Sequence, residues 1–283
     1  MDPGKFENAN RLWAAGCNED AALEFHAMAD EADYPDEKAG ALINEHKCYV
    51  QIGRLDKAGE VMRQIRGLTI EDKFVRMIVD FGDACMTTQM GKLEEGVFKF
   101  EKVLQTNWEE LRDPDNRHLY EELQERRGFA LTSLERYAEA LPILNDALSF
   151  TSDKSDPQLV HFYLAVCYQA TSQMVPAKES FLRAIQVGLS SDFEADARYR
   201  LGILYFRSGA LAQAKYHLEV ALQLPAEAIK PELRKNIYQQ MSRVCHYLKE
   251  FEEEKKYLKL AHRRNEPLSA VRVYTSGPQG LAV

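Results

Sequence analysis

Two stretches of the chain repeat one pattern of large and small apolar positions. HFYLAVCYQATSQMVPAKESFLRAI covers residues 161–185, and RYRLGILYFRSGALAQAKYHLEVAL covers residues 198–222. Apolar residues recur every three or four positions, which predicts two amphipathic helices in each stretch. The shared positions, which we interpret as repeat-packing residues, are Leu164, Ala165, Tyr168 and Ala177 in the first stretch and Leu201, Gly202, Tyr205 and Ala214 in the second.

The small residues in this pattern indicate a close crossing of the two helices. Gly202 on the first helix is expected to face Ala214 on the second, because no bulky side chain then holds the helix axes apart. Gly209 lies where the first helix must end, and it is expected to adopt the left-handed conformation of a helix cap. The unit is therefore predicted to be a pair of antiparallel helices.

This pattern resembles the tetratricopeptide repeat. Sliding the family's frame along the chain gives seven candidate repeats, which begin near residues 2, 39, 77, 121, 158, 195 and 235. The resemblance implies an all-α fold, a right-handed superhelix (solenoid) of antiparallel helix pairs. One uninterrupted array is expected over residues 1–264, because a single pair cannot bury its apolar face without stacked neighbours.

Two segments depart from the repeat. The longest interval, between the frames at 77 and 121, contains QTNWEELRDPDNRHLY, with a turn signal at Asp113-Pro114. We interpret it as an enlarged loop. The final segment, 265–283, leaves the helical pattern after Pro267 and alternates like an extended strand. We expect this tail to lie over the last repeat or to dock on a neighbouring molecule, so that homo-oligomers could form through this end.

Charge, cysteine content and the N-terminal sequence narrow the class of protein. The formal net charge is −8, and an acidic chain is a poor match for the phosphate contacts that nucleic acids and anionic membranes require. The five cysteines are scattered and form no C-x-x-C, which favours a reducing compartment. We see no secretory signal and no apolar run of membrane-spanning length. A soluble, cytoplasmic protein is expected.

The sequence contains none of the common catalytic or cofactor motifs. P-loop, G-x-S-x-G, H-E-x-x-H and G-x-G-x-x-G patterns are missing, and the Cys and His residues lack the spacing of a metal site. The expectation is a protein that is not an enzyme and that uses no cofactor and no metal. Its function must then come from a binding surface.

The resemblance places that surface on the first helix of each pair. Positions three and four apart form one stripe on each first helix, separate from the packing stripe. With its edge positions, this stripe includes Trp13, Phe81, Thr88 and Phe129. Arginine, amide and aromatic side chains suit an extended peptide, in particular an acidic or carboxylate-bearing one. The predicted partner-binding residues are Asn10, Asn44, Lys47, Arg126, Tyr163, Tyr199, Arg200, Arg207, Gln239 and Arg243.

Three functions remain open at this stage. The first is a protein-interaction scaffold or adaptor that binds a peptide or protein segment in its groove. The second is an RNA-binding helical-repeat protein, which the negative charge opposes and the arginines favour. The third is a self-associating assembly subunit. The aromatic side chains have a further interpretation, since they could simply fill gaps between adjacent first helices.

Overall fold

The computed structural model describes residues 3–149 and 157–262, and within these ranges every regular element is helical. The predicted all-α class is therefore confirmed. The chain divides into two compact units, unit 1 within Met1–Gln173 and unit 2 within Met174–Val283. The single array over 1–264 stays a prediction, and the predicted extended tail at 265–283 lies outside the described residues.

The described part of unit 1 contains ten α-helices. Their bounds are α1 Pro3–Ala14, α2 Asn18–Glu31, α3 Pro35–Gln51, α4 Leu55–Arg66, α5 Lys73–Gln89, α6 Leu93–Thr106, α7 Trp108–Leu111, α8 Arg117–Ser133, α9 Tyr137–Ser149 and α10 Pro157–Ala170. Each long helix packs against the next along the chain. First helices also contact first helices of the following pair, as α3 does with α5 and α5 with α8.

Up to residue 262, unit 2 contains five α-helices. Their bounds are α11 Met174–Val187, α12 Ser191–Arg207, α13 Leu211–Gln223, α14 Pro231–Leu248 and α15 Phe251–His262. Each helix packs on the next, and the first helices α12 and α14 also touch. A 3-10 turn at Ala226–Ala228 precedes α14.

A left-handed residue follows seven of the described helices. Gly209 has φ = 76°, as the sequence predicts, and its amide donates to the Phe206 carbonyl. The corresponding residues in the other turns are Gly16, Gly53, Gly91, Glu135, Ser172 and Lys249, all with positive φ. Three of these seven residues are not glycine. For each of them the left-handed conformation costs about 1 kcal/mol, because the Cβ lies too close to the backbone.

The predicted packing residues lie in the core. Leu164, Ala165, Ala177, Leu201, Gly202 and Ala214 are buried, whereas Tyr168 and Tyr205 are half-buried. The nearest side chain to Gly202 is a large one. A Cβ built on Gly202 would lie 2.6 Å from Cγ of Leu218, one turn beyond the expected partner Ala214. The reason is that a glycine leaves space for a large residue opposite, and a second small residue would leave a cavity.

Within the described ranges, none of the helices combines the length and the apolar composition needed to cross a membrane.

The contact between Gly202 and Leu218 predicts a large effect of substitution. We expect Gly202→Leu to lower the free energy of unfolding by about 2–4 kcal/mol, because the added side chain overlaps Leu218 at a close crossing. Chemical denaturation followed by circular dichroism measures the change. Gly59→Ala is the control, since a Cβ there meets nothing within 4 Å and the helix propensity improves. An unchanged midpoint for Gly202→Leu would contradict the crossing.

The left-handed cap at Lys249 predicts a stabilising substitution. Lys249 has φ = 65°, and the amides of Lys249 and Glu250 donate to the carbonyls of His246 and Cys245. We expect Lys249→Gly to raise the free energy of unfolding by about 1 kcal/mol, because glycine adopts this conformation without a Cβ clash. Lys249→Ala should have little effect. Equal stabilities of the Gly and Ala variants would show that the cap is not left-handed in solution.

Candidate functional site

A cleft of about 500 Å³ lies along the first helices of unit 1. Helices α1, α3, α5 and α8 supply most of its walls, and Leu93 at the start of α6 closes one edge. The lining is a mixture of aromatic, aliphatic, amide and charged side chains. It consists of Trp13, His46, Lys47, Val50, Gln51, Phe81, Gly82, Cys85, Thr88, Gln89, Leu93, Glu122, Arg126, Phe129, Ala130 and Ser133.

The periodicity of the first helices explains why these side chains meet. On α8 the lining residues Glu122, Arg126, Phe129 and Ser133 are separated by four, three and four positions. Such spacing places side chains in a single stripe along a helix. The same spacing recurs on α5 through Phe81, Cys85 and Thr88. The cleft is therefore built from parallel stripes of neighbouring helices.

The lining of the cleft carries a net positive charge, since it contains Lys47 and Arg126 but only one carboxylate, Glu122. Lys47 has no carboxylate within 4 Å anywhere in the described residues, and it is half-buried. Arg126 has a loose partner, with its Nη2 3.6 Å from Oε1 of Glu122 one turn earlier on α8. Two cations face a single carboxylate in the lining, so one positive charge is left for a ligand.

The other titratable groups of the cleft are neutral near pH 7. Burial lowers the pKa of His46, whose Nδ1 donates to the Ala58 carbonyl oxygen at 3.1 Å. Burial also raises the pKa of the Cys85 thiol to about 12, against the weaker opposing effects of Arg126 and Lys47. A thiol in this state is a poor nucleophile, so Cys85 acts here as a small apolar wall.

Aromatic residues mark two ends of the lining. At one end the indole Nε1 of Trp13 donates to Oε1 of Gln51 at 2.5 Å, which ties α1 to α3. At the other end Phe129 stacks on Tyr163 of α10, with ring centroids 4.3 Å apart and an angle of 22° between the rings. Tyr163 thus fills the space between adjacent first helices, and only Phe129 of this stacked pair lines the cleft.

A second group of predicted residues comes together in unit 2. Burial raises the pKa of Tyr199, and the nearby guanidinium groups of Arg200 and Arg243 partly offset the effect. Arg200 donates from Nε to Asp196 at 2.9 Å, whereas Arg243 is exposed with no carboxylate within 4 Å in the described parts of the chain. Gln239 is exposed on α14, one turn before Arg243, and Arg207 is exposed at the end of α12.

Of the ten predicted partner-binding residues, the cleft itself contains Lys47 and Arg126. Asn10 and Asn44 are half-buried, each one turn before a lining residue on its own helix. The binding residues predicted from the sequence did not include Gln51, Cys85, Gln89 or Glu122, which also line the cleft. Glu122 could have been predicted from helical spacing, since it lies four residues before Arg126. The sequence does not show, however, which turns of a helix face open space.

One cluster has the composition of a metal site. Cys245, Glu250 and Glu253 are the single group of three potential ligands within 4.8 Å of one another among the described residues. The ammonium of Lys215 occupies this position, because its Nζ lies 2.6 Å from Glu250 and 2.8 Å from Glu253. The arrangement is that of a salt-bridge network joining α13 to α15 rather than of an ion site.

The thiol environments predict a simple labelling pattern. Cys17 is exposed, while Cys48, Cys167 and Cys245 are buried and burial raises the pKa of each. With a pKa of about 12, only about one Cys85 thiol in 10⁴ is ionised at pH 8. We therefore expect one fast-reacting thiol per native chain with Ellman's reagent. Cys17→Ser should remove the fast phase, and a second fast thiol would contradict the raised pKa of Cys85.

Comparisons with solved structures identify the fold. The apo form of the quorum sensor NprR from Bacillus thuringiensis aligns with a TM-score of 0.70 and 17% identity, over 91% of this chain and 74% of that chain. PilF from Pseudomonas aeruginosa aligns with a TM-score of 0.59 and 15% identity, over 80% and 91% of the two chains. A tetratricopeptide repeat protein from Parabacteroides merdae aligns with a TM-score of 0.54 and 17% identity, over 91% of both chains.

No protein-family model matches the sequence, and no curated protein matches it either. At these identities the structural likeness bears on the fold alone.

Proposed function

The chain has the fold of the tetratricopeptide-repeat proteins, and from this fold and its cleft we propose that it is a non-enzymatic interaction scaffold that binds an extended segment of a partner protein. The cleft of unit 1 is the proposed binding site. The segment is expected to carry at least one carboxylate, from an acidic side chain or a chain terminus, and an apolar side chain beside it.

The observation that carries this proposal is the unbalanced charge beside aromatic and amide side chains. Lys47 and Arg126 face the cleft with Glu122 as the one carboxylate of the lining. A ligand carboxylate near Lys47 and Arg126 would complete the charge balance, and such charge-assisted hydrogen bonds are among the strongest at interfaces. Phe81 and Phe129 supply apolar surface, and Gln51 and Gln89 can hydrogen-bond a peptide backbone.

The RNA-binding alternative uses the same cations differently. Base recognition by helical repeats requires successive side-chain pairs supported by positive charge along the whole array. The formal net charge of −8 opposes that requirement. Self-association is the third possibility, and it would use surfaces other than the cleft.

Charge reversal in the cleft is the direct test. Peptides selected from a random-sequence display library against the full chain should be enriched in Asp and Glu next to apolar residues. We expect the pair Lys47→Glu and Arg126→Glu to weaken binding of a selected peptide at least tenfold, because each contact contributes about 1–3 kcal/mol when desolvated. Fluorescence polarisation with the labelled peptide measures the dissociation constant.

The matched control is Arg63→Glu with Lys73→Glu, two exposed cations of unit 1 that do not line the cleft. This control changes the net charge by the same amount and should retain binding. If both double variants bind equally well, the cleft is not the site. Binding of mixed-sequence single-stranded RNA that the cleft variant abolishes would favour the nucleic-acid alternative instead.

We propose that the group in unit 2 supplies a second, weaker contact to acidic partner segments. Arg243 is exposed with no ion-pair partner within the described residues, and Tyr199 lies near it. Arg243→Glu is expected to weaken binding about two- to fivefold, the size of a rim contact. Arg183→Glu, an exposed arginine on α11, is the control. Unchanged affinity of the Arg243 variant for every selected peptide would remove unit 2 from the proposal.

A further inference from the structure

The segment between α6 and α8, residues 107–116, has a defined local structure. It consists of the four-residue helix α7, a 3-10 turn at Pro114–Asn116 and an Asx turn in which the Asp113 carboxylate accepts from the Asp115 amide at 3.0 Å. The Asn116 side chain donates to the Glu110 carbonyl at 3.1 Å and ties the turn to α7. The segment holds one tryptophan in a defined position.

That tryptophan forms one wall of a pocket of about 480 Å³. Trp108 contacts Tyr120 edge to face, with ring centroids 6.1 Å apart and 74° between the planes. Half of the Trp108 side chain stays exposed, at 49%. The pocket is lined by Leu104, Gln105, Trp108, Tyr120 and Gln124. Two rings and a leucine therefore offer apolar surface to a bound group.

Gln124 gives the pocket a polar anchor. Its side chain is 8% exposed, and Nε2 donates to the Tyr120 hydroxyl oxygen at 2.8 Å. The Tyr120 hydroxyl in turn donates to the Asp146 carboxylate at 3.2 Å. Because the tyrosine proton points to Asp146, the hydroxyl oxygen accepts from the amide, and this fixes the orientation of the Gln124 amide.

The fixed orientation leaves one acceptor unused. Oε1 of Gln124 is buried and has no hydrogen-bond partner among the residues that the structure describes. A buried acceptor without a donor is costly in a folded protein, and a ligand that supplies the donor removes that cost. The pocket thus combines apolar walls with one unpaired acceptor just beneath its surface, which a ligand donor reaches after a small outward shift of the Gln124 amide.

The pocket is separate from the cleft. Successive residues of an α-helix are turned by about 100° around its axis. Tyr120 and Gln124 are therefore only about 40° apart on α8. Glu122 is turned by about 200° from Tyr120, and Arg126 is turned by about 200° from Gln124. The same helix therefore presents the cleft on one side and the pocket on the other. Occupation of one site does not require the other.

We propose that this pocket is a second docking site, which takes one apolar side chain of a partner protein together with the backbone N–H beside it. The side chain lies against Trp108, Tyr120 and Leu104, and the N–H donates to Oε1 of Gln124. The unpartnered buried acceptor argues for a donor-bearing ligand, and the rings argue for an apolar one. The site does not depend on the cleft or on its proposed ligand.

The two tryptophans of the chain make the test specific, because Trp13 reports on the cleft and Trp108 on the pocket. The probes are the methylamide of 4-methylpentanoic acid, whose single N–H lies beside an isobutyl group, and the methyl ester of the same acid, which has no N–H. Both are titrated into the full chain labelled with ¹⁵N at the indole nitrogens. We expect the Trp108 signal to shift and the Trp13 signal to stay, with the methylamide bound about fivefold more tightly than the ester.

Gln124→Met should abolish the preference for the methylamide while apolar binding remains, and Gln64→Met, at an exposed glutamine of α4 outside the pocket, should keep it. The comparison of the two probes on the unaltered chain needs no variant, so it stands even if Gln124→Met fails to fold. An unmoved Trp108 signal, or a shift of Trp13 in its place, overturns the docking site. Equal affinities of the methylamide and the ester overturn the role of Gln124.

Discussion

The close crossing of two helices within a pair is the contact on which the rest of this structure depends. A Cβ built on Gly96, Gly128 or Gly202 would lie 2.2, 2.5 or 2.6 Å from a side-chain atom of Thr88, Leu144 or Leu218. Real Cβ atoms do not approach so closely, so any larger residue at these positions would displace the side chain opposite. The large partner then fills the space at the density of a normal core.

Because the crossing fixes which stripe of a first helix is buried, it also fixes which stripes remain for binding. On α8, Gly128 packs on Leu144 of α9, while Arg126 and Phe129 line the cleft. Tyr120 and Gln124 reach the pocket of the inserted segment near the start of the same helix. One helix of 17 residues thus serves a core contact and two surfaces, since its 3.6-residue period gives it several distinct faces.

The sequence predicted the helix pairs because small and large residues at a helical period carry the crossing contact directly. Leu201, Gly202 and Gly209 were informative for this reason. It did not show that Leu218, one turn beyond Ala214, supplies the atoms nearest to Gly202, since a shift of one turn preserves the period. It also did not reveal the pocket. Trp108 and Gln124 are 16 positions apart, and their meeting depends on the path of α7 and on a hydrogen-bonded chain through Tyr120 to Asp146.

The charge of the cleft follows from the same packing. Burial at the inner edge of the crossings lowers the pKa of His46 and raises that of Cys85, so both groups are neutral at neutral pH. The charges left in the lining are those of Lys47, Glu122 and Arg126. Two cations and one carboxylate remain there, and this excess of positive charge is the physical basis for the proposed preference for a carboxylate-bearing segment.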